Sequence, residues 1–298
     1  MTRGASAARA LLRASTTAAL LILAACESAK HAGIPGPAGA KSAPTAAAPP
    51  ATLSPPGAPA PAPARPDEAP VRPVSAKPSL ELLEITTGHV GASDPAPLVV
   101  ALHGLGDRPD SFADVFQGLT TDARIVLPHS KTRYSDGWAW FPPGAGTSDL
   151  GAPALLDAAN TVATFIDEIS AARPTLGRPI VMGFSQGGAL AFTIATHHAA
   201  SVGSAIAIGG WLPMALLPTA RPPVNSPPIL ALHGTADVRV PFGATESAVA
   251  RLSRLGYPVE LHPFEGVGHS IPPAVRQALF ERLAEACDTE RRRGPRPR

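Results

Sequence analysis

The sequence predicts an α/β fold, in which helices cover both faces of a mostly parallel central sheet. Six short apolar blocks alternate with helical patterns between residues 98 and 287. Most of these blocks are continuously apolar, which is typical of parallel strands buried on both faces. Strand–helix alternation of this kind indicates a parallel sheet between two layers of helices.

The predicted elements follow one another at short intervals. The expected strands span residues 98–102, 124–127, 179–184, 204–208, 229–232 and 258–264, and the expected helices span 153–172, 186–199, 243–255 and 273–287. Ligands of such sheets bind beyond the carboxyl ends of the strands. Functional side chains should therefore lie just after these strands.

Composition sets the boundaries of the α/β domain at residues 80–288. Residues 27–79 hold 14 of the 36 prolines with Ala, Gly and Ser, a composition that predicts an unpacked, Pro/Ala-rich disordered linker. Residues 289–298 are rich in arginine and predict a basic, disordered tail. The domain has 12 Lys and Arg against 19 Asp and Glu, a net charge of −7 that argues against a nucleic-acid partner.

The N-terminal segment has the pattern of an export signal. Arginines precede a run of about twelve apolar residues, which is too short to span a bilayer. The run ends in Leu23-Ala24-Ala25-Cys26, which resembles the bacterial lipobox, whose cysteine is acylated. We therefore expect a lipoprotein signal peptide at 1–25 and a linker at 26–79 that begins with lipidated Cys26. This arrangement predicts an envelope lipoprotein anchored in a membrane, the outer one where the host has one; an ordinary signal peptide is the alternative.

The segment Gly183-Phe184-Ser185-Gln186-Gly187 matches the G-x-S-x-G pattern of a nucleophile elbow. The match alone is weak, but an apolar strand precedes Ser185 and a helical run follows it, as the elbow requires. The nucleophile interpretation is therefore favoured over an inert turn, and the predicted fold is the α/β-hydrolase fold.

A serine nucleophile needs a base and a group that orients the base, and in this fold the chain order is Ser, acid, His. Asp237 follows the strand at 229–232, and His269 lies in a Gly-rich loop after the strand at 258–264. His262 falls inside that strand and is interpreted as structural. The expected catalytic residues are thus Ser185, Asp237 and His269.

The oxyanion that forms on an attacked carbonyl needs N–H donors. In this fold they come from the residue after the nucleophile, here Gln186, and from the loop after an early strand, for which we predict Leu105. His103 opens that loop, but no other His or Cys lies at ligand spacing, so we expect it to organise the loop and predict no metal site.

Aromatic side chains concentrate where an acyl group could bind. We expect a substrate groove with walls from Trp138, Trp140, Phe141, Trp211 and Leu212. Plain core packing of these residues is the alternative.

Five motifs together resemble the phospholipase/carboxylesterase family, which includes bacterial carboxylesterases and acyl-protein thioesterases. They are HGLGD at 103–107, GFSQGG at 183–188, GGWLP at 209–213, HGTAD at 233–237 and GHSIP at 268–272. The resemblance covers residues 95–287. It implies a Ser-Asp-His triad, no cofactor, and small-molecule ester or thioester substrates.

Other functions remain open on the same fold. One is a secreted polyester depolymerase, feruloyl-type esterase or peptidase. Another is a catalytically inactive surface lipoprotein that uses the scaffold for binding. An intact set of Ser185, Asp237 and His269 favours an enzyme over the last alternative.

Overall fold

A computed structural model describes residues 78–143 and 148–295 of the chain. The predicted signal peptide, Cys26 and nearly all of the predicted linker lie outside these residues. The Ser79 N–H donates to Glu168 Oε2 at 2.8 Å, and Leu80 is buried, so the chain is packed from close to the predicted start of the domain. Within the described ranges, no helix combines the length and the apolar character that a membrane span needs.

A seven-stranded sheet forms the centre of the domain, in the order β1-β3-β2-β6-β7-β8-β9. All neighbouring strands are parallel except β1 and β3, which are antiparallel. A separate hairpin pairs β4 with β5. The strands are β1 Leu82–Thr87, β2 Ala96–Leu102, β3 Ala123–Pro128, β4 Thr132–Tyr134, β5 Gly137–Ala139, β6 Thr175–Phe184, β7 Ser204–Ile208, β8 Ile229–Gly234 and β9 Val259–Phe264.

Five α-helices connect and cover the strands. They are α1 Pro109–Phe112, α2 Ala152–Ala172, α3 Gln186–His197, α4 Phe242–Leu255 and α5 Pro273–Arg293, with short 3-10 helices at Ala113–Phe116, Asp149–Gly151 and Met214–Leu216. Proline occupies the first turn of α1, α2 and α5, where its missing N–H removes no helical hydrogen bond.

The central strands are apolar on both sides because each side packs against helices. In β2, Leu98 and Val100 belong to the core cluster that includes α2, α3 and α4. Val99 and Ala101 belong to the opposite cluster, which includes α1 and α5. Alternate residues of a strand point to opposite faces, so a strand buried twice has to be apolar throughout. The predicted fold class is confirmed.

All six predicted strands and all four predicted helices are present, with ends shifted by a few residues. The apolar pattern of the sequence did not predict β1 or the β4–β5 hairpin. β1 is the antiparallel edge strand and is only half-buried, and β4 is fully exposed, so neither has the continuous apolar pattern of the central strands.

The predicted disordered tail at 289–298 was wrong in its first half, because α5 continues to Arg293. Glu290 is buried and accepts hydrogen bonds from the Arg178 N–H and the Arg293 guanidinium. Arg291 binds Asp288 and the Asp122 carbonyl. The arginines that suggested a solvated terminus thus hold the last turns of the helix in place. Cys287 of the same helix is fully buried, and burial raises the pKa of its thiol to about 12.

Candidate active site

Ser185 lies between the end of β6 and the start of α3, with φ 56° and ψ −114°. A positive φ is rare for a residue with a side chain and signals a strained turn. The turn is possible because its flanking glycines make close backbone contacts. A Cβ at Gly183 would come within 2.3 Å of Gly187 C, and a Cβ at Gly187 within 2.0 Å of Leu102 O. The G-x-S-x-G spacing is therefore a packing requirement of this elbow.

The three residues predicted as a triad are in contact. His269 Nε2 lies 2.9 Å from Ser185 Oγ, and His269 Nδ1 lies 2.7 Å from Asp237 Oδ2. Asp237 comes from the loop after β8, and His269 comes from the loop between β9 and α5. The parallel strands end at the same edge of the sheet, which brings these distant positions together.

The surroundings of Asp237 keep it ionised. Burial raises the pKa of this carboxyl, but hydrogen bonds from His269 and from the Val240 and Arg239 N–H groups prevail and lower it. An ionised Asp237 accepts the Nδ1 proton of His269. That tautomer leaves Nε2 free to accept a proton from Ser185 Oγ.

A second histidine contacts the same carboxylate. His233 Nε2 lies 2.9 Å from the Val240 carbonyl and 3.4 Å from Asp237 Oδ2. Burial lowers the pKa of His233, so the ring is neutral at pH 7. With its proton on Nε2, the ring ties the Asp237 loop to the end of β8.

Both predicted oxyanion donors lie beside Ser185. The backbone N–H of Gln186 is the first of α3, and the first N–H groups of a helix have no intrahelical acceptor. In the loop after β2, the Gly106 and Asp107 N–H groups donate to the carbonyls of Trp138 and Gly104. Among the described residues, the Leu105 N–H has no such acceptor, and Leu105 lines the same cavity as Ser185.

The side chain of Gln186 has a role that the sequence did not indicate. Its Oε1 accepts from the Trp140 N–H, and its Nε2 donates to the Phe141 carbonyl, both at 3.0 Å. These bonds are buried. They fasten the segment after β5 to the nucleophile elbow, some 45 residues away along the chain.

A cavity of about 590 Å³ opens over Ser185 and His269. Of the predicted groove residues, Phe141 and Trp211 line it, and their rings contact each other edge to face at 6.0 Å. Two of the five predicted groove residues therefore lie where an acyl group could bind.

The other three predicted groove residues do not line this cavity. Trp140 is buried, donates its indole N–H to the His103 carbonyl and stacks on the His103 ring. The Trp138 ring stacks on the His129 ring at 4.0 Å, and the Arg133 guanidinium lies 4.6 Å from its centroid. Leu212 is buried in the core. Packing against neighbouring elements takes these side chains away from the cavity.

The two histidines that we expected to be structural, His103 and His262, have structural contacts. His103 is buried, its Nδ1 bonds the Gly104 carbonyl at 2.7 Å, and burial lowers its pKa. His262 stacks on Phe264 within β9. In the described parts of the chain, no three His, Cys, Asp or Glu side chains are grouped as metal ligands would be.

Comparison with known proteins identifies the family of this site. A family model described as phospholipase/carboxylesterase matches residues 88–285. The chain belongs to the phospholipase/carboxylesterase family. The family expected from the five sequence motifs is thereby confirmed.

Relatives of this family member include enzymes from plants. A probable carboxylesterase of Oryza sativa subsp. japonica is 30% identical over 203 residues, which cover 59% of this chain and 76% of that protein. The crystal structure of esterase PE8 aligns with a TM-score of 0.56 and 26% identity over 70% of this chain and 99% of that one. Acyl-protein thioesterase 2 of Zea mays aligns with a TM-score of 0.56 and 22% identity over 70% and 99%, a likeness of fold. The family and its carboxylesterase relatives make this chain a hydrolase.

Several cavity residues of this hydrolase were missed from the sequence. They are Tyr134, Pro142, Pro143, Arg239 and Val240. Tyr134 belongs to the hairpin that was not predicted, and the prolines follow the predicted aromatic loop. Arg239 and Val240 lie two and three residues after Asp237. Their closeness in sequence to a predicted catalytic residue could have identified them.

Proposed function

We propose that this hydrolase cleaves carboxylic esters or thioesters through an acyl-enzyme formed on Ser185. The observation that supports the proposal is the continuous contact from Ser185 through His269 to Asp237 at a cavity large enough for a small substrate. The names of the relatives, a carboxylesterase and an acyl-protein thioesterase, are consistent with both bond types.

The first half of the reaction forms the acyl-enzyme. As Ser185 Oγ attacks the carbonyl carbon, its proton passes to His269 Nε2, and Asp237 stabilises the resulting imidazolium. The negative charge that develops on the carbonyl oxygen is stabilised by the N–H groups of Leu105 and Gln186, each worth about 2.7–4 kcal/mol in comparable enzymes. The tetrahedral intermediate collapses when His269 returns the proton to the leaving alcohol or thiol.

The second half releases the acid. A water molecule gives a proton to His269 and attacks the acyl carbon, passing through a second oxyanion at the same two N–H groups. Collapse breaks the bond to Ser185 Oγ, which takes the proton back from His269. The carboxylic acid leaves, and the enzyme returns to its starting state.

A fluorophosphonate probe and a panel of nitrophenyl esters and thioesters test this mechanism. The wild type should be labelled and should turn over the panel, whereas Ser185→Ala should lose labelling and about 10⁴- to 10⁶-fold in kcat. Ser226→Ala is the matched control, because Ser226 lies in a surface loop outside the cavity lining and its hydroxyl donates to the Pro223 carbonyl. Unchanged labelling of Ser185→Ala would show that another residue is the nucleophile. A panel that includes feruloyl esters, polyesters and peptides separates the alternative substrate classes.

We further propose that the chain is exported and anchored in a membrane of the cell envelope through a lipid on Cys26. The support is the sequence: positive charges, a short apolar run and the segment Leu23-Ala24-Ala25-Cys26. The predicted Pro-rich linker at residues 26–79 would hold the hydrolase away from the membrane surface.

A further inference from the structure

The charged side chains around the Ser185 cavity are few. Its lining residues include one aspartate, Asp107, and one arginine, Arg239, besides His269. His269 is engaged with Ser185 and Asp237. Asp107 Oδ1 accepts hydrogen bonds from the Arg108 N–H and the Ser111 hydroxyl, so this carboxylate is committed to the start of α1. Of the described residues that line the cavity, Arg239 is the cation that remains available to a substrate.

Arg239 is held close to the reacting groups by its backbone. Its N–H donates to Asp237 Oδ1 at 2.9 Å, and the next residue, Val240, is buried and lines the cavity too. The position of Arg239 is therefore fixed by the same loop that positions Asp237. A change at the side chain alone leaves that backbone hydrogen bond in place.

Within residues 78–143 and 148–295, the guanidinium of Arg239 has no partner of its own. Its side chain is exposed, and among the described residues no carboxylate lies within 4.0 Å of it and no acceptor bonds it. Guanidinium is charged at every relevant pH and offers paired N–H donors that match carboxylate or phosphate oxygens. An unpaired arginine on a cavity wall is thus equipped to bind an anionic group.

The net charge of the domain bears on how Arg239 could affect the binding of an anionic substrate. Residues 80–288 carry a net charge of −7, a field that disfavours the approach of anionic molecules. A cavity wall that bound only an apolar acyl chain would need no charged side chain at position 239. A local cation beside Ser185 offsets this unfavourable field where a substrate reacts.

We propose that Arg239 is a specificity-determining residue that selects esters or thioesters carrying a negative charge, such as a carboxylate or phosphate, on the part of the substrate that reaches the loop after Asp237. This assignment rests on the proposed reaction at Ser185. It identifies the substrate class as anionic esters, in preference to neutral acyl esters of the same length.

Matched substrate pairs test the assignment. One pair is 4-nitrophenyl hexanoate and the mono-4-nitrophenyl ester of adipic acid, which differ by a terminal carboxylate on the acyl chain. The other is phenyl acetate and 4-acetoxybenzoate, which carries the charge on the leaving group. For each pair, the ratio of kcat/KM for the anionic to the neutral ester is measured in the wild type, Arg239→Gln, Arg239→Lys and Arg251→Gln. Arg251 is an exposed arginine of α4 that does not line the cavity.

For at least one pair, the ratio should fall about 3- to 30-fold in Arg239→Gln, as expected for the loss of one partly screened charge interaction. The Lys variant should keep most of the preference, and Arg251→Gln should match the wild type. The wild-type ratio should also decrease as salt is raised from about 20 mM to about 500 mM, while that of Arg239→Gln should not.

Ratios that stay within about twofold of the wild type in Arg239→Gln, for both pairs, overturn the role of Arg239. In that case, turnover of the neutral esters that depends on Ser185 leaves the proposed reaction intact. If the wild type hydrolyses neither member of either pair, the proposed reaction and the role of Arg239 both fall.

Discussion

Replacing Gln186 with alanine should destabilise the domain by about 2–6 kcal/mol. The side chain is 4% exposed and makes two buried hydrogen bonds of 3.0 Å, with the Trp140 N–H and the Phe141 carbonyl. Its removal leaves one buried donor and one buried acceptor without partners, each at a cost of about 1–3 kcal/mol. For a domain of this size, at about 2–4 °C per kcal/mol, the loss corresponds to a fall in Tm of about 4–24 °C.

Thermal unfolding followed by circular dichroism measures this effect, with Gln277→Ala as the matched control. Gln277 is an exposed glutamine of α5 whose amide donates to Glu281 Oε1, so its loss should change Tm by less than about 2 °C. A further variant, Gln186→Glu, keeps the size and the acceptor for Trp140 but places an oxygen against the Phe141 carbonyl. At pH 7 it should be at least as unstable as the alanine variant. A Tm of Gln186→Ala within about 2 °C of the wild type would refute the proposed clamp.

Three further predictions concern the cavity, an ion pair and the membrane anchor. Phe141→Ala should reduce kcat/KM for long acyl esters more than for acetyl esters, whereas Trp138→Ala should leave the chain-length profile unchanged; equal losses across the profile in Phe141→Ala would contradict its place in the wall. Burial raises the pKa of the Glu84 carboxyl, but bonds from Arg124 and Arg173 prevail and lower it. The contribution of the ionised Glu84 carboxylate to the free energy of unfolding is therefore complete above the usual pKa of 4.5. It is lost as pH falls through the lower pKa of the folded state. The Tm difference between wild type and Glu84→Gln should accordingly shrink below pH 4.5, and a constant difference would argue against the ion pair. Cys26→Ser should move the protein from the membrane fraction to the soluble fraction after export; a wild type that is already soluble would exclude the anchor.

The sheet and the nucleophile elbow could be read from short stretches of sequence. A strand buried on both faces must be apolar at every position, so each central strand can be recognised from about six residues of sequence. The elbow can be recognised from five residues, because a Cβ at Gly183 or Gly187 would collide with backbone atoms. Elements without such local constraints, namely the half-buried edge strand β1 and the exposed β4, had no comparable signal.

The sequence alone therefore determined the fold class, the family, and the order and loop positions of Ser185, Asp237 and His269. Tertiary structure decided which side chains face the cavity: it placed Trp138 against His129, Trp140 against His103, and Arg239 at the wall. It also decided that α5 continues beyond residue 288, since the carboxylate of Glu290 meets Arg178 from a distant strand. The physical reason is the range of the interactions. Backbone periodicity and glycine contacts act over a few residues, whereas the direction of a side chain depends on partners that only the packed fold brings near.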